Sequence, residues 1–233
     1  MILGIICAMQ EELDEIIREL ALKPINQIDL CSNSYFVYTH GSHTVVAGVC
    51  GIGKVNAAVT TQLMIDKFTP DKIINVGVAG SLSQNLVFGD VVIAEDLVEH
   101  DFDITPFGVR LGQIARMDTF SFPTDSGVNK LILDNLALPE NKIVSGRIVS
   151  GDQFIDDKEK AKFLAKEFDA VACEMEGAAI AHVCYLNKIP VCVIRSLSDM
   201  AGQDGQAIHS FNDLKFMAAA RAAKVVVNLL EHI

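Results

Sequence analysis

The stretch MILGIICAM (Met1–Met9), followed by QEELDEIIREL (Gln10–Leu20), decides the fold class. An apolar run of this length without polar alternation reads as a buried strand, here placed over Ile2–Ala8. The charged stretch behind it reads as an amphipathic helix over Glu11–Leu20. The same pairing recurs to the end of the chain, the pattern of an α/β fold with helices packed on a parallel or mixed sheet. Further strands are expected at Tyr35–Thr39, Thr44–Cys50, Lys72–Val78, Val91–His100, Lys142–Ser150, Ala170–Cys173 and Val191–Ser196. Further helices are expected at Val55–Phe68, stopped by Pro70, and at Ser126–Leu136, Asp157–Phe168, Glu176–Asn187 and Phe211–His232. Residues 102–124 fit neither period. Such a long irregular stretch points to a functional loop or a subunit contact.

With 233 residues and 50% hydrophobic content the chain can bury a large core, and residues 1–233 are expected to form one domain. A formal charge of -11 repels phosphate backbones and anionic lipid, which argues against nucleic acid and membrane as partners. No basic residue precedes the first apolar run, and no run reaches the roughly 18–20 residues of a membrane-spanning helix. A cytoplasmic protein is the expectation. Cys7, Cys31, Cys50, Cys173, Cys184 and Cys192 form no C-x-x-C pair and read as reduced thiols, most of them packed as small hydrophobes. His40 and His43 fall three apart in a β region, which predicts opposite sheet faces, and no H-E-x-x-H occurs. Neither a metal site nor a cofactor is expected.

In open α/β sheets ligands bind beyond the carboxyl ends of the strands, so the polar residues following each apolar run are the candidates. Strand ends lead into Glu11-Glu12, Val78-Ala79-Gly80-Ser81, Ser150-Gly151-Asp152-Gln153-Phe154, Glu174-Met175-Glu176 and Arg195-Ser196-Leu197-Ser198-Asp199. Three of these bring the candidate carboxylates Glu12, Glu176 and Asp199 to one rim. Acidic residues also favour a first helical turn for purely structural reasons. Two carboxylates flanking Met175 in an apolar stretch are harder to explain that way. A buried Arg195 calls for a carboxylate partner. Gly51-Ile52-Gly53-Lys54 looks like a phosphate loop, but Val55 breaks the G-x-x-x-x-G-K-[ST] pattern. A tight strand-to-helix turn, close to a ligand, is the economical reading.

Taken in order, Ala8-Met9-x-Glu11-Glu12, Gly51-Ile52-Gly53-Lys54, Val78-Ala79-Gly80, Ser150-Gly151-Asp152-x-Phe154, Glu174-Met175-Glu176 and Arg195-Ser196-x-Ser198-Asp199 resemble the 5'-methylthioadenosine/S-adenosylhomocysteine nucleosidases. The resemblance spans essentially the whole chain. It implies the nucleoside phosphorylase-like fold, a central mixed β-sheet flanked by helices, in a homodimer that cuts adenine from a nucleoside with water. By the same resemblance Asp199 looks like the acid serving adenine N7, with Ser198 placing it, and Glu12 like the residue that activates water. Glu176 looks like the acceptor for the ribose hydroxyls with Met175 against the sugar, while Phe154 resembles the ring stacked on adenine and the Ile155 backbone its edge reader. Met9, Ile52, Val78, Ala79, Gly80, Glu174, Arg195 and Phe211 complete the expected substrate site, and Ile104, Phe107 and Ala115 are expected to reach the 5' pocket from a partner subunit.

Departure of a purine leaves a ribosyl cation, so carboxylates near the sugar and an acid at the base are the required residue types. Two positions depart from the family pattern. Val78 stands where many members carry serine, and Gly112-Gln113-Ile114-Ala115 replaces a Gly-Gln-x-Pro segment. A phosphorylase would need cationic donors beside the sugar, whereas the first strand here ends in Glu11-Glu12. A nucleosidase acting on 6-amino-6-deoxyfutalosine shares the chemistry and differs in the 5' group. A non-catalytic binding protein would be marked by loss of Glu12 or Asp199, and a dinucleotide-binding oxidoreductase by G-x-G-x-x-G after the first strand.

Overall fold

Strand β1 (Ile2–Cys7) is buried from Leu3 onward, as an apolar run with a neighbour on each edge requires. It pairs in parallel with β4 (His43–Val49) and β5 (Lys72–Ser81). The computed structural model describes residues 1–136, 138, 141–202 and 207–233. Its other strands are β2 (Asn26–Leu30), β3 (Asn33–His40), β6 (Val91–Glu99), β7 (Phe122–Pro123), β8 (Ile143–Ser150), β9 (Ala170–Glu174) and β10 (Val191–Met200). The helices are α1 (Gln10–Leu20), α2 (Lys54–Phe68), α3 (Ser126–Asn135), α4 (Lys158–Phe168), α5 (Gly177–Asn187) and α6 (Ala207–His232), with one 3-10 turn at Thr105–Phe107.

The strands form one mixed sheet in the order β10-β6-β8-β9-β5-β1-β4-β3-β2, with β7 beside β6. Strand β10 also pairs with β5. That pairing closes β5, β10, β6, β8 and β9 into a ring, and β1, β4, β3 and β2 extend from it. Leu13 and Ile16 of α1, Val128 and Ile132 of α3, and Ala222 and Val226 of α6 pack on one side of the sheet. Ala57 and Met64 of α2 join Ala178, Ala181 and Cys184 of α5 in a second core, and α4 lays Leu164 and Phe168 beside Val149 and Cys173. Local chemistry sets several helix ends. Asp157 caps α4 by accepting from the Lys160 amide at 2.6 Å, and Thr69 takes a left-handed conformation that ends α2 before Pro70.

The α/β class and the mixed sheet agree with the sequence expectation. Several boundaries do not. Strand β2 was not expected, because NQIDL is polar and three of its five residues are exposed at the sheet edge. Strands β5 and β10 run on to Ser81 and Met200, since Asp199 and Met200 pair with Gly80 and Ser81. The irregular segment holds the 3-10 turn and β7, helix α6 starts at Ala207 rather than Phe211, and Glu176 precedes α5 rather than opening it. His40 and His43 lie directly opposite each other across the β3–β4 hairpin. Their side chains therefore share a face, contrary to the expectation, because the turn at Gly41 reverses the chain between them.

Candidate active site

The site arises where β5 changes neighbours. One edge of β5 is taken by β10 from Ile73 to Ser81. On the other edge β1 pairs with Lys72–Asn75 and β9 with Gly80–Ser81, so residues 76–79 have no strand beside them there. A cavity of about 390 Å³ lies at this gap, walled by the segments that follow β1 and β9 and by Val78, Ala79 and Gly80. Its size falls within the usual range for a small-molecule pocket.

Glu12 occupies the gap in the ladder. Its Oε1 accepts from the Val78 amide at 3.1 Å, and its Oε2 accepts from the Ala8 and Met9 amides at 3.0 Å each. The side chain thus caps α1 and stands in for the missing strand. Gly77 makes room, since a Cβ there would lie 2.7 Å from Glu12 Oε1. Burial raises the Glu12 carboxyl above its usual range, against the pull of these amides and of Arg195.

Asp199 enters from β10, whose register shifts between Leu197 and Asp199. Ser198 Oγ donates to Asp199 Oδ1 at 2.7 Å. Burial pushes the Asp199 carboxyl up to about 6, although the Ser198 hydrogen bond opposes it. Gly80 again leaves space, because a Cβ would sit 3.1 Å from Asp199 Oδ2. Phe154 and Phe211 meet edge to face at 5.9 Å on the cavity wall, and the Ile155 carbonyl accepts from the Gly202 amide.

The two glutamates of Glu174-Met175-Glu176 have separate environments. Glu174 Oε2 accepts from the Glu176 and Gly177 amides at 3.1 and 2.7 Å and from Arg195 Nη2, while Oε1 accepts from Ser150 Oγ. Arg195 is 2% exposed and also donates to Asn75 Oδ1 and to the Ile194 carbonyl. Glu176 Oε1 accepts from the Gly53 amide at 2.8 Å. Burial, then the nearby Glu174, pushes the Glu176 carboxyl up to about 8.

Met9, Glu12, Ile52, Val78, Ala79, Gly80, Phe154, Ile155, Glu174, Met175, Glu176, Ser198, Asp199 and Phe211 all line the one cavity. Arg195 does not. It lies beneath the wall as the counter-charge of Glu174, which corrects its placement among the substrate contacts. Ile104, Phe107 and Ala115 lie outside this chain's cavity, and Phe107 is 84% exposed. Sequence reasoning missed Cys173 and Asn212 on the wall, and Asn75 and Gly77 behind it, and gave no role to Ala8 and Gln153, which also line it. Asn75 had a signal, a lone amide in an otherwise apolar strand. Gly77 had none.

At the glycine loop the amides of Gly53 and Lys54 and the Lys54 ammonium already serve carboxylates of this chain. The Lys54 amide donates to Asp152 Oδ1, the Gly53 amide to Glu176, and Lys54 Nζ to Glu99 and Asp101.

A closed mixed sheet with these carboxylates gathered at one gap defines a nucleoside-cleaving α/β enzyme, and residues 2–231 match the Phosphorylase superfamily. A 5'-methylthioadenosine/S-adenosylhomocysteine nucleosidase of Shewanella loihica is 38% identical over 234 residues, 99% of each chain. A Helicobacter pylori MTAN mutant with 5'-methylthioadenosine in its active site superposes with a TM-score of 0.94 at 33% identity, covering 99% of this chain and 98% of that one. The futalosine hydrolase of Helicobacter pylori superposes with a TM-score of 0.94 at 34% identity, covering 100% and 98%. The chain belongs to the 5'-methylthioadenosine/S-adenosylhomocysteine nucleosidase family.

Proposed function

We propose that the chain hydrolyses the N-glycosidic bond of 5'-methylthioadenosine and S-adenosylhomocysteine, releasing adenine and the 5'-thioribose sugar, with Asp199 and Glu12 carrying the reaction. The observation behind these roles is that both carboxylates are buried in one cavity against the same strand, Glu12 at Gly77–Val78 and Asp199 at Gly80. Three residues of strand span roughly 10 Å, enough for a ribose and its base to lie between them. Asp199, whose proton is retained up to about pH 6 by burial, donates to N7 as the bond between the sugar and N9 breaks and its electron pair passes to the purine. Glu12 accepts a proton from the water whose oxygen bonds to the anomeric carbon. Glu176 accepts from the ribose hydroxyls and offsets the cationic sugar, Met175 packs against it, and Phe154 stacks on the base.

A phosphate co-substrate is disfavoured because the loop amides and Lys54 already serve carboxylates of this chain. The reading includes a single domain and a homodimer in which residues 102–124 meet the second copy. Phe107, Val55 and Leu186, exposed by 84%, 73% and 61%, offer that copy apolar surface. Ile104, Phe107 and Ala115 would then complete the partner's 5' pocket. A cytoplasmic location is supported by six unpaired thiols. Acceptance of 6-amino-6-deoxyfutalosine is the second reading, favoured by the likeness to the futalosine hydrolase.

The test is to incubate the protein with methylthioadenosine, S-adenosylhomocysteine, 6-amino-6-deoxyfutalosine, adenosine and inosine, with and without phosphate, and to identify the sugar product. Free thioribose without phosphate is expected. A sugar 1-phosphate formed only with phosphate overturns the hydrolase, and release of no base from any substrate leaves a binding protein.

A further inference from the structure

The glycine loop that resembles a phosphate site is tied into a closed ring of hydrogen bonds. Lys54 Nζ donates to Asp101 Oδ1 at 2.6 Å, the Asp152 amide donates to Asp101 Oδ2 at 2.9 Å, and the Lys54 amide donates to Asp152 Oδ1 at 2.8 Å. A second arm leads from Lys54 Nζ to Glu99 Oε2 at 3.0 Å, and Glu99 Oε1 meets His182 Nδ1 at 3.0 Å. The loop between β4 and α2 is thereby fastened to the ends of β6 and β8, neighbouring strands whose Glu99 and Ser150 are paired. The ring is joined to a carboxylate of the cavity. The Gly53 amide, next in the chain to Lys54, donates to Glu176 Oε1. Gly53 has a φ of +97°, and a Cβ on it would stand 3.0 Å from Asp152 Oδ1, so the loop holds this shape only with glycine there.

We propose that Lys54 is a positioning residue for Glu176: by anchoring the loop to Asp101 and Glu99 it fixes the Gly53 amide that orients the Glu176 carboxylate in the cavity. This rests on Glu176 being the sugar-binding carboxylate of the proposed nucleosidase. A lone interior carboxylate can swing about its side-chain torsions, and a single amide restrains it only if that amide is itself held. The ring supplies the restraint. Lys54 is far better suited than a neutral residue, because its charge serves two carboxylates that would otherwise repel each other. Glu176 is also faced by Glu174 and Glu12, by the buried Arg195 and by the Cys50 thiol. The Gly53 amide favours its ionised form in that company.

The experiment uses Lys54→Met and Lys54→Arg, with Asp101→Asn as a milder variant that keeps the lysine. Two readouts are taken: kcat and KM for methylthioadenosine, and the carboxyl-carbon NMR titration of Glu176 in the free protein. In Lys54→Met the KM is expected to rise roughly tenfold, by more than kcat falls, and the Glu176 midpoint to move up by about half a unit or more. Lys54→Arg restores most of both, and Asp101→Asn shifts both in the same direction by less. A Glu176 midpoint and KM unchanged in folded Lys54→Met, or in Asp101→Asn should the first not fold, overturns the proposal. If the wild type cleaves no nucleoside while the Glu176 shift is present, the nucleosidase reading fails and the positioning role stands.

Discussion

Glu12 lies so close to Gly77 that a Cβ on the glycine would stand 2.7 Å from its Oε1. The contact exists because Glu12 bonds the Val78 amide in place of a strand. Gly77→Ala should push the carboxylate out of register by a fraction of an ångström to an ångström. A misplacement of that order costs about 100-fold in rate, so kcat/KM for methylthioadenosine should fall by that factor while the far-ultraviolet circular dichroism stays native. Unchanged kinetics would remove Glu12 from the reaction centre.

Asp199 must hold its proton to act as the acid, so kcat/KM should fall as pH rises through about 6, the value to which burial lifts it. Ser198 donates to Asp199 Oδ1 and favours the anion. Ser198→Ala should therefore move that limb to higher pH, and pH–rate profiles of the two proteins make the comparison. Asp199→Asn should lose about 100-fold to 10,000-fold in kcat.

The same burial makes Asp199 a cost to the fold. Its folded value near 6 exceeds the unfolded value of 3.8, so the unfolded chain binds fewer protons between these pH values and stability declines as pH rises through that window. Asp199→Asn does not titrate. At pH 7.5 the variant should be more stable than the wild type by about 1–3 kcal/mol, with the gap closing toward pH 4. Urea melts at both pH values measure it.

Arg195 and Glu174 form a buried pair, with side chains 2% and 3% exposed. Arg195→Met removes the counter-charge and leaves a carboxylate stranded in the core, a loss of about 3–5 kcal/mol. Chemical denaturation should show it. Arg195→Lys should recover little, because the guanidinium also serves Asn75 and the Ile194 carbonyl.

Phe107 should act on the second copy's pocket. Phe107→Ser is expected to raise KM for methylthioadenosine several-fold and for adenosine hardly at all, as the proposed dimer sets Phe107 against the 5' substituent. Equal effects on both substrates would place Phe107 away from the 5' group.

The alternation of apolar and amphipathic stretches determined the α/β class, because burial of a strand on both faces demands a continuous apolar run, and such runs are local. The polar residues beyond those runs were also local, so Glu12, Glu174, Glu176, Ser198 and Asp199 were legible as candidates. Tertiary structure alone decided what each carboxylate touches. Ring closure through β5 and β10 and the change of neighbour along β5 create the gap, and both depend on pairings between residues more than ninety positions apart. Arg195 and Glu176 look alike as charges beside apolar strands. One became a buried counter-ion and the other a cavity wall, because a charge's role follows from the partners that folding brings to it, and those partners are distant in the chain.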